Sequence, residues 1–138
     1  VIQFIKGGLD YGELHVVQCL PNLKIKAFGR GKFVTQMPTT EEDIKLANQA
    51  LELAEQVVNS GEYDIVVLDE INVALHLKMI SVDDVIQLIK NKPNHVELIL
   101  TGRNAPAQIV EVADLVTEMK EIKHPYADGV PPRKGIEY

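Results

Sequence analysis

Two adjacent carboxylates, Asp69 and Glu70, close the segment Tyr63-Asp64-Ile65-Val66-Val67-Leu68-Asp69-Glu70. The Ile-Val-Val-Leu run reads as a strand buried on both faces, so the acids stand at its carboxyl end, where open α/β sheets bind ligands. Neighbouring strand residues point to opposite faces, which speaks against a shared acid/base pair. The chemistry that fits is binding of Mg²⁺, directly or through water, beside nucleotide phosphates, as in a Walker B element. A plainer role is capping of the following helix, around Ile71 to Leu77, and this segment alone leaves both open. A second apolar run ends similarly, in Leu98-Ile99-Leu100-Thr101-Gly102-Arg103-Asn104. Gly102 permits a sharp exit from the sheet, and Arg103 could then face an anionic ligand across the same edge. Its plainer role is that of a surface arginine in a connection.

Other chemistries lack their residues. A phosphate loop needs G-x-x-x-x-G-K-[ST] between a strand and a helix. Gly7-Gly8-Leu9-Asp10-Tyr11-Gly12 is followed by Glu13 rather than lysine, and Gly29-Arg30-Gly31-Lys32 by Phe33 with no helix opening there. His15, His76, His95 and His124 show no zinc-ligand spacing. Ser60 and Ser81 read as a helix end and an N-cap, so a serine nucleophile has no support. Cys19 reads as a small packed side chain. Phe33 sits in a polar, glycine-rich stretch, where its ring either packs back onto the core or covers a flat cofactor.

The elements that must position these residues follow from the hydrophobic pattern. Val1 to Ile5, Ile65 to Leu68 and Val96 to Leu100 read as strands covered on both faces. A helix between the first two opens with a capping box, Thr39 accepting and Glu42 reaching back, and carries Ile44, Ala47, Leu51, Ala54 and Val58 on one stripe up to Ser60-Gly61. A second helix starts at Ser81, with Asp83 and Asp84 in its first turn, and buries Val82, Val85, Ile86 and Ile89. Pro106 opens a third, running through Ile109 to about Val112. Leu23 to Met37 holds another short strand and a loop, and His124 to Tyr138 is without regular structure. Strands alternating with helices specify an α/β fold with a largely parallel sheet.

The 138 residues suit one domain, residues 1–138. With 14 Lys and Arg against 20 Asp and Glu, the net charge is -6, which argues against a general nucleic-acid binder. One cysteine fits a reducing cytoplasm, and no apolar run approaches the ~20 residues of a membrane span. The expectation is a soluble, cytoplasmic domain without nucleic-acid or membrane partners.

Several segments occur together in a specific order: Val1-Ile2-Gln3-Phe4-Ile5-Lys6-Gly7, then Val67-Leu68-Asp69-Glu70, Thr101-Gly102-Arg103, Lys123-His124-Pro125-Tyr126 and Lys134-Gly135-Ile136-Glu137-Tyr138. In that order, over nearly the whole chain, the sequence resembles the P-loop type of cob(I)alamin adenosyltransferase, the ATP:corrinoid adenosyltransferases. The resemblance implies a RecA-like P-loop NTPase-type fold that moves the 5′-deoxyadenosyl group of ATP onto the cobalt of a reduced corrinoid. It also implies Mg²⁺, release of triphosphate, a flavodoxin-like or other reductant, and a homodimer. Cobalt(I) would be the nucleophile, consistent with the lack of a protein nucleophile or strong general base. By the same resemblance Glu70 holds Mg²⁺ with Asp69 in support, Gly102 and Arg103 lie with Glu70 at the ATP site, and Gly31 and Phe33 lie against the corrinoid. The family often has Trp at the Phe33 position, and the preceding aromatic is replaced in the Arg30-Gly31 region.

The family places a strand, a phosphate loop and a helix ahead of the Val-Ile-Gln-Phe-Ile-Lys-Gly strand, roughly 30 residues on the scale of a βαβ unit. The expectation is that the natural protein is longer by that N-terminal unit. Two other readings stay open: a non-catalytic nucleotide- or corrinoid-binding module, and a RecA-like ATPase domain with a different output.

Overall fold

The computed structural model describes residues 1–7, 12–30, 38–131, 133 and 136. Its centre is a parallel sheet of four short strands, β1 (Ile2–Gln3), β2 (Lys26–Ala27), β3 (Ile65–Asp69) and β4 (Glu97–Leu100). Their spatial order is β2-β1-β3-β4, and every pairing is parallel. Parallel neighbours require crossovers, and helices supply those on either side of β3. Helix α2 (Glu41–Asn59) leads from β2 to β3, and α3 (Ile71–His76) with α4 (Val82–Asn91) leads from β3 to β4. A short α1 (Gly12–Val16), running into a 3₁₀ turn at Val17–Cys19, lies between β1 and β2, and α5 (Ala107–Val112) follows β4. The α/β class and the largely parallel sheet expected from the pattern are observed.

One core joins sheet and helices. Phe4, Val66 and Leu68 from the strand region pack with Ala50, Ala54 and Val58 of α2, Ile71 of α3 and Val85 of α4. The stripe on α2 is Ala47, Ala50, Leu51, Ala54 and Val58, whereas Ile44, expected on it, is 40% exposed. The cap of α2 lies one residue later than expected. Thr40, not Thr39, accepts from the backbone N–H of Asp43, and the Asp43 carboxylate, not Glu42, reaches back to Thr40. Asp43 is buried, and this fixes the first turn around it. In α4, Val85 and Leu88 are fully buried, with Val82, Ile86 and Ile89 packed at the margin.

Coverage of the strands is uneven. Val66 and Leu68 are buried, but Ile65 is 58% and Ile99 45% exposed. Val67 and Ile99 are register partners, so one face of the β3–β4 pair is less covered than the apolar runs implied. Among the described residues, the outer edge of β4 pairs with no strand. The described residues after α5 are exposed and form no helix or strand beyond a 3₁₀ turn at Pro125–Asp128, capped by the His124 side chain. Among the described residues no helix is long and apolar enough to cross a membrane.

Candidate functional site

The sheet places three strand ends side by side. Gln3 of β1 is the register partner of Asp69 in β3, and Leu68 is the partner of Leu100 in β4, so Thr101 leaves the sheet beside Asp69. The chain leaving β1 is turned back sharply. The N–H of Lys6 donates to the Phe4 carbonyl at 2.6 Å, closing a three-residue turn around Ile5, whose φ is 52°. A β-branched residue in the left-handed region costs on the order of 1–3 kcal/mol. The turn brings the Lys6 ammonium 2.8 Å from Asp69 Oδ2.

Asp69 is engaged through both oxygens. Oδ1 accepts from the Thr101 hydroxyl at 2.8 Å, and Oδ2 accepts from Lys6 at 2.8 Å and from Gln3 Nε2 at 3.4 Å. Burial pushes the Asp69 carboxyl up, but the Lys6 and Thr101 hydrogen bonds outweigh it and hold the group below the ordinary carboxylate range. Lys6 is the mirror case: burial opposes its charge, and Asp69 with the nearby Glu70 and Glu13 raises its pKa overall.

Glu70 is arranged differently. It adopts a left-handed conformation (φ 63°, ψ 17°), its N–H donates to Thr101 Oγ1 at 3.0 Å, and its carbonyl accepts from Val73 and Ala74 to start α3. Its carboxylate accepts no hydrogen bond from another described residue and makes no capping bond. The acid lies against Gly102, where a Cβ would stand 3.2 Å from both Glu70 Cα and Glu70 Oε2. Gly102 has φ 116°, so this position needs glycine for conformation as well as for space. Thr101 is thus the joint of the site, donating to one acid's side chain and accepting from the other's backbone.

Asn72, 6% exposed, donates its side-chain amide to the Gly102 carbonyl at 3.4 Å, while its N–H bonds the Thr101 carbonyl at 3.1 Å. Arg103 is exposed, and with Val73, His76, Leu77 and Asn104 it lines a shallow cleft of about 190 Å³ beside the acids. Asp69, Glu70 and Gly102 therefore come together, Arg103 lines the adjoining cleft, and Gly31 and Phe33 lie outside the described residues. Among the described residues no group of three or more His, Cys, Asp or Glu is arranged to hold a metal. Mg²⁺ commonly takes one or two carboxylates and completes its shell with waters and substrate phosphates. The Glu70 carboxylate, without a hydrogen bond from another described residue, meets that requirement, whereas Asp69 has both oxygens occupied.

Lys6, Thr101, Gln3 and Asn72 carried no assigned role in the sequence reading. The signals available were a lysine directly after the first apolar run and a hydroxyl between the third run and its glycine.

A second polar cluster borders the first. Asp43, buried at the start of α2, accepts from Arg30 Nε at Oδ1 and from Arg30 Nη2 at Oδ2, both at 2.7 Å. Oδ2 also accepts from the N–H of Thr40 at 2.9 Å and from its hydroxyl at 2.7 Å. The Arg30 guanidinium, helped against burial by Thr40, holds the Asp43 carboxyl at about 2. Gly29, just before Arg30, is pressed onto the β1 exit, and a Cβ there would stand 2.7 Å from the carbonyl carbon and oxygen of Ile5. Gly7 is pressed reciprocally onto the Gly29 carbonyl.

The model of the family ATP:corrinoid adenosyltransferase BtuR/CobO/CobP matches residues 1–138. A corrinoid adenosyltransferase of Sinorhizobium sp is 37% identical over 145 residues, covering 100% of this chain and 65% of the relative. One of Pseudomonas aeruginosa is 34% identical over 139 residues, covering 100% and 68%, and one of Escherichia coli is 28% identical over 139 residues, covering 100% and 69%. The chain spans about two thirds of the length of these curated relatives. A match along the whole chain, at this level of identity, shows that it belongs to the ATP:corrinoid adenosyltransferase family.

Proposed function

We propose that the protein transfers the 5′-deoxyadenosyl group of ATP to the cobalt of a reduced corrinoid. In the reaction the cobalt(I) electron pair forms the Co–C5′ bond, the C5′–O bond breaks, and its pair leaves with triphosphate. The observation that carries this reading is the contrast between the two acids. Asp69 is satisfied within the protein, while Glu70 is held in a costly left-handed conformation at the carboxyl edge of the sheet, its carboxylate accepting no hydrogen bond from another described residue. Strain of that kind persists only where surrounding structure over-determines it, and it clusters at functional sites.

The protein's tasks in this reaction are to position C5′ and to neutralise the leaving group. Glu70 would hold Mg²⁺, which supplies charge stabilisation on the triphosphate oxygens. Asp69, Lys6 and Thr101 fix the backbone that presents Glu70, and Arg103 contacts the nucleotide phosphates from the neighbouring cleft. Gly31 and Phe33 lie against the corrinoid. A P-loop NTPase-type fold with a phosphate loop, a homodimer, a flavodoxin-like or other reductant and a cytoplasmic location complete the proposal.

The test is product analysis with the full-length protein, cob(I)alamin and MgATP under reducing conditions. A light-sensitive cobalt–carbon product, formed only when both substrates are present, is the expected result. Binding of both substrates without that product would leave a binding module, and release of phosphate without corrinoid would leave an ATPase.

A further inference from the structure

Among the described residues, two buried side-chain atoms lack a hydrogen-bond partner, Gln3 Oε1 and Asn72 Oδ1, and both border the acid pair. Gln3 is 4% exposed and Asn72 6%. The Gln3 amide faces two carboxylates, with Nε2 3.4 Å from Asp69 Oδ2 and 3.4 Å from Glu13 Oε1. Asn72 Nδ2 faces the Gly102 carbonyl at 3.4 Å. Turning either amide over would aim its oxygen at those oxygens, so in each case the carbonyl is the group left without a donor. Glu70 Oε2 and Asn72 Cβ lie 3.2 and 3.3 Å from the point where a Gly102 Cβ would stand. The Asn72 side chain and the Glu70 carboxylate therefore meet over that glycine.

A buried carbonyl oxygen without a donor destabilises a fold, and an apolar residue of similar shape in its place is nearly neutral or stabilising. Ile71, Val73, Ala74 and Leu75 are all buried apolar neighbours of Asn72, so packing alone calls for another such residue at 72. Two such oxygens beside one acid pair mark a place short of donors. Donors of that kind come with a hydrated divalent cation, whose waters offer protons to neighbouring oxygens while the metal takes the carboxylate.

We propose that Asn72 and Gln3 are positioning residues for a divalent cation at Glu70, their side-chain oxygens accepting hydrogen bonds from waters of its coordination shell. This rests on the reading of Glu70 as the cation's ligand and is independent of the corrinoid.

The experiment titrates Mn²⁺ alone into the full-length protein and its variants, following the free ion by its electron paramagnetic resonance signal. Asn72→Leu removes the oxygen and weakens Mn²⁺ binding about tenfold or more, the scale on which such supporting groups act. Asn72→Asp keeps an oxygen acceptor, loses the donor to Gly102, and binds Mn²⁺ at least as tightly as the wild type. Affinity of Asn72→Leu within about twofold of the wild type overturns the proposal, since a water held by the protein alone would give that result. Asn72→Asp as weak as Asn72→Leu also overturns it, because Asn72 would then act through its bond to Gly102. If Asn72→Leu does not fold, Gln3→Met carries the same prediction and is judged by the same margins. Glu70→Gln separates the two levels. Mn²⁺ affinity lost in Glu70→Gln but kept in Asn72→Leu and Gln3→Met overturns this proposal alone. Affinity kept in Glu70→Gln, or absent in the wild type, overturns the cation at Glu70 as well, while adenosyl transfer is decided by its own products.

Discussion

Replacing Thr101 by valine tests how the two acids are kept apart in role. The change conserves shape and removes one hydroxyl, so the effect is that of its hydrogen bonds rather than of a cavity. Two bonds are lost: the donation to Asp69 Oδ1 at 2.8 Å and the acceptance from the Glu70 N–H at 3.0 Å. The first has a charged acceptor and contributes about 1.5–3 kcal/mol, and the second about 0.5–1.5 kcal/mol. Asp69 is half-buried, and water can replace part of what is lost, so the low ends apply and the sum is about 2 kcal/mol. In urea that shifts the unfolding midpoint of the full-length protein down by about 1 M, with an m-value near 2 kcal/mol/M. Thr101→Ser keeps both bonds and stays within about 1 kcal/mol of the wild type, because only a methyl group is removed. Loss of the Glu70 anchor also frees a left-handed residue to relax, so turnover falls in the valine variant and recovers in the serine variant. A valine variant within about 0.5 kcal/mol of wild type, or a serine variant as impaired as valine, would refute the reasoning.

Other consequences are as specific. Glu70→Gln leaves stability within about 0.5 kcal/mol, since the carboxylate accepts no hydrogen bond from another described residue, yet lowers turnover on the order of a hundredfold; paired melting curves and initial rates check both. Gly102→Ala forces a Cβ to 3.2 Å from Glu70 Cα and Oε2 at a φ of 116°, costing about 1–3 kcal/mol and raising the Mg²⁺ concentration needed for half-maximal rate; thermal melts and a Mg²⁺ titration measure each. The Asp43 carboxyl is held at about 2 in the fold against an ordinary 3.8, so its contribution to stability is complete above about pH 4 and is lost as pH falls toward 2. Asp69, also depressed, acts in the same direction, and Asp43→Asn flattens the acid limb of a stability-versus-pH series by its own share.

Much of the fold was legible because parallel strands and their covering helices write themselves as contiguous apolar runs and 3.6-residue stripes. Ile65 to Leu68, Val96 to Leu100 and the helices after Thr40, Ser81 and Pro106 all fall within a residue or two of the observed elements. Helix α1 was missed because Gly12–Val16 has no buried residue and therefore no stripe to read. The cap of α2 was misplaced by one because two threonines compete in sequence, and only the burial of Asp43 against Arg30 decides between them.

The site was half legible. Two acids at a strand end and a glycine after the next strand are local signals, and the structure brings Asp69, Glu70 and Gly102 together. What separates the acids' roles is not local. Lys6 reaches Asp69 across 63 positions of sequence through a turn at Ile5 that no propensity favours, and Thr101 joins them from 32 positions away. Arg30 and Asp43 carried no role in the sequence reading, and only the fold brings their side chains together.

The most direct measurement of the central claim is a single-turnover count of products from the full-length protein mixed with cob(I)alamin and MgATP. Adenosylcobalamin and triphosphate formed in equal amounts, with neither appearing when corrinoid is left out, is the predicted result. Phosphate and ADP released at the same rate with and without corrinoid would contradict it.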